Sequence, residues 1–352
     1  MPLTERKPLS IALQGRGTYG AYAAGVLDTI LASRRVRIAQ LSGTSAGALN
    51  AAIVASALTS GSAAEARRRL HSFWTAVAAP AVVDVGRAVW GPLEQSWREN
   101  VALWIGARAL SPYEVNPLGL DPLRALIAAH VDVDALRDAI PLSVTVTNVR
   151  TGLPRVFRNG DVSLDALVAS ASLPQLFQAV EIDGEPYWDG GYSGNPTLRT
   201  LVDEHADRDV LIVQLTPNGA VDAPRDAAGI QRRVNEIVFN ASLVAEIQSL
   251  TALRDMAWRG MDVNGLRHLR LHRIGPPAAG VLADGSPLDR SPAWIARLAR
   301  AGRGDGQRFL LRHRDDLGVR ETLDVAAFGA VPAPATARAR SASGETVAAG
   351  AV

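Results

Sequence analysis

A serine framed by glycines is the first place where this chain's residues suggest chemistry. Gly43-Thr44-Ser45-Ala46-Gly47 follows an apolar run over residues 36–41 and precedes an alanine-rich run reaching about residue 58. G-x-S-x-G between a strand and a helix is the context in which a tight turn lifts a serine hydroxyl to the strand's C-terminal edge, as a nucleophile requires. A side chain at Gly43 or Gly47 would obstruct the crossing of helix over strand. A serine hydroxyl attacks a carbonyl only when a neighbouring group takes its proton. The six histidines are His71, His130, His205, His268, His272 and His313, and none lies in a glycine-framed turn. Asp189-Gly190-Gly191 does: the acid ends a short strand-like Pro186-Tyr187-Trp188, with two flexible glycines beside it and Tyr192-Ser193-Gly194-Asn195-Pro196 after it. The competing reading of Asp189 is an ordinary hairpin-turn acid.

Gly15-Arg16-Gly17-Thr18-Tyr19-Gly20 is a third glycine-framed segment, again between a strand and a helix. It matches G-x-G-x-x-G, whose backbone N–H groups cradle a pyrophosphate in dinucleotide sites. That reading also wants an acid at the end of the second strand to hold a ribose hydroxyl. Here the strand ends in Leu41-Ser42-Gly43. The alternative is that the same N–H groups, at the positive end of a helix, stabilise an oxyanion near the serine.

The elements that must hold these segments are legible in outline. Residues 9–14 read as a buried strand, the glycine loop opens a helix to about residue 34, and residues 36–41 return as a strand before the Ser45 turn and its helix. This βαβα start implies an α/β fold with a central, mostly parallel sheet flanked by helices on both faces. Further strands are expected over residues 141–148, 155–159, 209–215 and 268–274. Residues 229–261 carry Ile230, Val234, Ile237, Ala241, Val244 and Ile247 at helical spacing, with Arg232, Arg233, Glu236 and Glu246 on the remaining face.

Composition narrows the classes. With 352 residues, 47% hydrophobic and 20% charged, the chain has material for a sizeable core. Lys plus Arg number 37 and Asp plus Glu 35, a net charge of +2 that gives little support to nucleic-acid binding. The absence of cysteine excludes disulfides, zinc-thiolate sites and thiol nucleophiles. The first ten residues show no apolar core of a signal peptide, so a cytoplasmic location at or near a membrane surface is expected. Residues 38–64 carry no charge, but Gln40, Ser42, Thr44, Ser45 and Asn50 interrupt them, which fits a buried strand-turn-helix better than a membrane span. Residues 73–118 concentrate Trp74, Trp90, Trp97 and Trp104. A helix opened by Pro92 would align Leu93, Trp97, Val101, Trp104 and Ile105, either as a lid or lipid-facing surface or as a face packed on the core. From residue 329 the chain turns to Ala, Pro, Ser, Thr and Gly, a composition expected to stay disordered, leaving residues 1–328 as one domain.

Taken together, Gly15-Arg16-Gly17-Thr18-Tyr19-Gly20, Gly43-Thr44-Ser45-Ala46-Gly47 and Asp189-Gly190-Gly191 resemble the patatin-like phospholipases in order and spacing. The likeness extends to Ala169-Ser170-Ala171-Ser172-Leu173-Pro174 and to Asn195-Pro196, and so covers roughly residues 9–275. It implies a three-layer α/β sandwich and a Ser-Asp dyad without histidine. In that dyad Asp189 deprotonates Ser45, the amides of Gly15, Arg16 and Gly17 bind the oxyanion, and Gly20, Gly43, Gly47, Gly190 and Gly191 support the motifs. The implied substrates are carboxylic esters of phospholipids or lysophospholipids, with no metal or organic cofactor and no nucleic-acid partner. The oligomeric state is left open. Short esters or thioesters are the second enzymatic reading. The chain departs from the family at Arg16, where a glycine is usual, and at Tyr19, where a basic residue is frequent. A side chain at Arg16 restricts the backbone and brings a guanidinium to the loop, which leaves a lipid-binding protein with impaired turnover as the non-enzymatic reading.

Overall fold

Alternation along single strands divides the interior into two layers of packing. In β1 (Lys7–Leu13), Leu9, Ile11 and Leu13 enter one core and Ala12 the other. In β7 (Asp209–Val213), Leu211 and Val213 join the first core and Val210 and Ile212 the second. A strand that points successive side chains to opposite faces, all of them buried, must lie between covered faces. The computed structural model describes residues 6–79, 111–116, 122–202, 209–220, 222–261, 266–275, 281–282 and 285–329.

In chain order the remaining elements are α1 (Gly20–Ala32), β2 (Val36–Thr44), α2 (Ala46–Ser60), α3 (Ala63–Val77), α4 (Pro112–Val115), α5 (Pro122–His130), β3 (Leu142–Asn148), β4 (Pro154–Arg158), α6 (Leu164–Ser170), β5 (Val180–Ile182), β6 (Glu185–Asp189), α7 (Ala227–Trp258), β8 (Arg270–Ile274) and α8 (Pro292–His313). The hydrogen-bonded path through the eight-stranded sheet is β5-β6-β3-β2-β1-β7-β8, with β4 also on β3. β1, β2, β3, β7 and β8 pair in parallel and β4, β5 and β6 antiparallel. Helices α1, α2, α3, α5, α6 and α8 supply the first core, while Leu243, Ile247 and Leu250 of α7 supply the second. The sheet is therefore mostly parallel and flanked by helices on both faces.

One register sets up the site. β4 covers Ser143–Thr147 of β3, β2 covers Leu142–Thr145, and β6 covers Val146–Asn148. A strand has two edges, so β2 and β6 share one of them and meet end to end. Thr44, the last residue of β2, pairs with Thr145, and Asp189, the last of β6, pairs with the next residue, Val146.

The face of α7 departs from its sequence pattern. Ile230, Val234 and Ile237 were expected to pack inward, yet they are exposed, and burial begins only at Asn240 and Leu243. Glu236 and Glu246, expected to face solvent, are half-buried in hydrogen bonds to Arg16 and to the Leu198 and Arg199 amides. Periodicity identifies an apolar stripe but not the side from which a neighbour arrives. Of the tryptophans expected in a lid, Trp74 is a core residue of α3, while Trp90, Trp97, Trp104 and the tail from residue 330 lie outside the described residues.

Candidate active site

Ser45 sits between β2 and α2 with φ 54° and ψ −129°, a left-handed backbone rare for a residue with a side chain. Strain of this kind, on the order of 1–3 kcal/mol, persists only where the surroundings over-determine it. Here they do. A Cβ at Gly47 would stand 2.2 Å from the Leu13 carbonyl oxygen, and one at Gly43 would stand 2.6 Å from the Gly47 backbone, so only glycines let α2 cross the strands this closely. The Ser45 N–H donates to Ser170 Oγ (2.9 Å), whose hydroxyl donates in turn to the Thr145 carbonyl (2.7 Å). Ser170, at the end of α6, thus ties the turn to β3.

Asp189 is wholly buried. Its N–H donates to the Ser172 carbonyl, its own carbonyl accepts from Thr147 Oγ1, and its Oδ1 accepts the Gly191 N–H at 2.7 Å. Oδ2 is buried without a hydrogen-bond partner of good geometry. Burial pushes the carboxyl up to about 7, against the opposing pull of the Ser45 hydroxyl and the Gly191 amide. The structure therefore brings Ser45 and Asp189 to one point. Gly190 and Gly191 serve that approach by lacking side chains rather than by flexibility: a Cβ at Gly190 would lie 2.2 Å from the Thr145 oxygen, and one at Gly191 would lie 2.5 Å from the Phe239 ring.

The glycine loop lies against the same serine, since a Cβ at Gly15 would stand 2.5 Å from the Ser45 Cβ. One expectation changes here. The Gly15 N–H, assigned to oxyanion binding, is already donated to Asn195 Oδ1 at 2.7 Å, while Asn195 Nδ2 donates back to the Gly15 carbonyl at 3.1 Å. Gly15 is held by Asn195 and has no free donor. The N–H groups of Arg16 and Gly17 make no hydrogen bond among the described residues. Gly17, at φ +50°, takes a conformation that suits glycine, and the chain beyond it is propped by the Thr18 N–H to the Pro287 carbonyl (2.8 Å). Ala46, the first residue of α2, has an N–H with no intrahelical acceptor. Asn195, Ser170 and Ala46 were not assigned these duties from sequence. For Ala46 the signal was available, because the amide after the serine of a G-x-S-x-G turn is a known oxyanion donor.

The Arg16 side chain is tied down. Its guanidinium pairs with Glu236 of α7 (3.5 Å) and lies 5.2 Å from the centre of the Tyr19 ring. The Tyr19 hydroxyl is directed at the carbonyls of Leu282 and Gly285, so the second departure from the family's residues is a core residue. Three of the six histidines are engaged elsewhere. His272 contacts Asp209 (2.8 Å) and Thr322 at the opposite, N-terminal end of the parallel strands, His130 contacts Ser72 and the Leu126 carbonyl, and His313 contacts Asp316. His205 lies outside the described residues.

The model of the patatin-like phospholipase family matches residues 11–202, which include the glycine loop, the Ser45 turn and Asp189. The chain belongs to that family. The match ends before β7, α7, β8 and α8, so most of the second core and the partner of Arg16 lie outside it. Among solved structures, the chain is similar to VipD from Legionella pneumophila at 18% identity, covering 88% of this chain and 67% of that one, with a TM-score of 0.43. It is also similar to a chain of the heterodimeric ExoU-SpcU complex of the Pseudomonas aeruginosa type III secretion system at 19% identity, covering 92% and 74%, with a TM-score of 0.32. Membership in the patatin-like family supports a lipid acyl hydrolase. No helix among the described residues is long and apolar enough to cross a membrane.

Proposed function

We infer that the chain hydrolyses carboxylic esters of phospholipids or lysophospholipids, with Ser45 as nucleophile and Asp189 as its base. The observation that carries this reading is the pairing of a strained serine with a fully buried carboxyl whose proton affinity lies near neutrality. A carboxylate with that affinity accepts a hydroxyl proton far better than an ordinary solvated aspartate does. As Ser45 Oγ bonds to the ester carbon, its proton passes to Asp189, and the carbonyl electrons move onto the oxygen. The N–H groups of Arg16, Gly17 and Ala46 are the donors proposed for that oxyanion. Collapse of the intermediate expels the alcohol, which takes the proton from Asp189 and leaves an acyl-Ser45. Water then attacks the acyl carbon with Asp189 again as base, and the fatty acid leaves. The Arg16–Glu236 pair supports an active enzyme, because it gives the guanidinium a partner outside the loop.

The test joins labelling to turnover. A fluorophosphonate probe is expected to modify Ser45, identified by mass spectrometry of the labelled peptide, and Ser45→Ala should lose both labelling and release of fatty acid from phosphatidylcholine. Labelling at a different serine, or fatty-acid release by a folded Ser45→Ala protein, would overturn the assignment.

A further inference from the structure

The two free amides of the glycine loop belong to peptide units whose carbonyls are already held. In a trans peptide the C=O and the following N–H point in opposite directions, so whatever fixes one fixes the other. The Arg16 carbonyl accepts the Tyr19 N–H at 3.1 Å, in the short helical turn over Gly17–Tyr19, and this local bond aims the Gly17 N–H. The Gly15 carbonyl is held from far along the chain, by Asn195 Nδ2 at 3.1 Å. The Arg16 N–H is therefore turned away from Asn195, and it makes no hydrogen bond among the described residues.

Asn195 suits this duty by its chemistry and by its setting. It is fully buried. Nδ2 donates to the carbonyls of Gly15 and Phe239, both at 3.1 Å, while Oδ1 accepts the Gly15 N–H at 2.7 Å, so the partners fix which end of the amide is which. An aspartate of the same shape would set an oxygen against two carbonyl oxygens, and an alanine would leave both polar groups of Gly15 unpaired. The backbone beside Asn195 is tied down as well. The Gly194 carbonyl accepts Thr44 Oγ1 at 2.6 Å, and the Asn195 N–H donates to Ser242 Oγ at 3.0 Å. Thr44 immediately precedes Ser45, and Asn195 follows Asp189 by six residues. One segment thus carries the base, grips the strand that ends at the nucleophile, and clasps the glycine loop.

We propose that Asn195 is a positioning residue for ester hydrolysis: by clasping both polar groups of Gly15 it locks the Gly15–Arg16 peptide and keeps the Arg16 N–H presented to the oxyanion formed at Ser45. Released from the clasp, that peptide is free to turn over and put the Gly15 carbonyl, an acceptor, where the donor belongs. The clasp is complete before substrate arrives, so this donor is preformed, and Asn195 acts through Arg16 without touching the ester. This inference deepens the hydrolase reading and rests on it.

The experiment uses the full chain, p-nitrophenyl butyrate as substrate and an alkyl trifluoromethyl ketone as probe, because the adduct of that ketone with a serine carries an oxyanion. Asn195→Ala should lower kcat by a factor on the order of 10² and change KM by less than about threefold. Affinity for the ketone should fall with kcat, and the pH at which activity rises should stay where it is in wild type, since Asp189 is untouched. Asn195→Asp keeps an acceptor for the Gly15 N–H but loses the donor to the Gly15 carbonyl, and it should be as slow as Asn195→Ala. Wild type gives a readout that needs no variant to fold. In its NMR spectrum, formation of the ketone adduct should move the Arg16 and Gly17 N–H protons downfield and leave the Gly15 N–H near its place. A folded Asn195→Ala protein with undiminished kcat, a loss confined to KM, a displaced pH profile, or an Arg16 N–H that does not move would overturn the proposal while the hydrolase reading stood. Wild type that neither cleaves the ester nor forms the adduct would overturn the hydrolase reading, and this inference with it.

Discussion

At the scale of single residues, the site turns on burying a carboxyl beside a hydroxyl. Asp189 has a proton affinity raised from 3.8 to about 7, with burial the largest cause. A carboxyl whose folded pKa exceeds its unfolded value favours folding fully only below the unfolded pKa, and that contribution is lost as pH rises to the folded pKa. Asp189→Asn removes the buried charge while keeping the shape. The variant is expected to be more stable than wild type above pH 7, by a few kcal/mol at most, and the advantage should disappear below about pH 4. Thermal melts of both proteins across that range check the sign. An Asp189→Asn protein that is less stable than wild type at pH 8 would mean that the carboxylate is held by favourable contacts rather than stranded by burial.

At the scale of elements, the sequence made the local motifs plain and left their meeting implicit. The G-x-S-x-G turn, the glycine loop and the acid before two glycines are each a local pattern, and the strands and helices around them follow from periodicity. What joins Ser45 to Asp189 is β3, whose one edge carries the end of β2 and then the end of β6. No spacing along the chain encodes that shared edge. Asn195 likewise reads as a loop residue until the fold sets its amide on Gly15. Helix α8 stands where the sequence reading set no element, and its Gly302 is where α8 touches α1, a Cβ there standing 2.0 Å from the Tyr22 carbonyl oxygen. The elbow gives a direct test at this scale. Ser170→Ala leaves the Ser45 N–H and the Thr145 carbonyl without their shared partner, a loss of about 1–3 kcal/mol in stability for buried groups. Because the strained turn is then less fixed, kcat for a soluble ester should fall more than KM changes. Ser170→Thr, which keeps the hydroxyl, should restore part of the rate. A kcat equal to wild type in Ser170→Ala would show that the turn needs no such tie.

At the scale of the whole molecule, the first core draws on residues from Leu9 to Leu317 and the second on residues from Ala12 to Phe328, and single strands such as β1 and β7 serve both. The parallel strands end their C-terminal edge at the glycine loop and the Ser45 turn, while the Asp209–His272–Arg270 cluster binds the opposite edge. Burial raises both carboxyls, with opposite outcomes: hydrogen bonds from His272, Arg270 and the Gly318 amide, with the Arg270 charge, outweigh desolvation at Asp209 and bring it to about 2, whereas at Asp189 burial prevails over the Ser45 hydroxyl and the Gly191 amide. The fold thus places a carboxyl of near-neutral affinity beside the strained serine. The pH dependence of kcat/KM on a soluble ester tests that arrangement most directly. Wild type should gain activity as one group loses its proton near pH 7, and Asp189→Asn should be slower by a factor on the order of 10² or more and lack that ionisation. A folded Asp189→Asn enzyme with undiminished kcat/KM and the same ionisation would contradict the account.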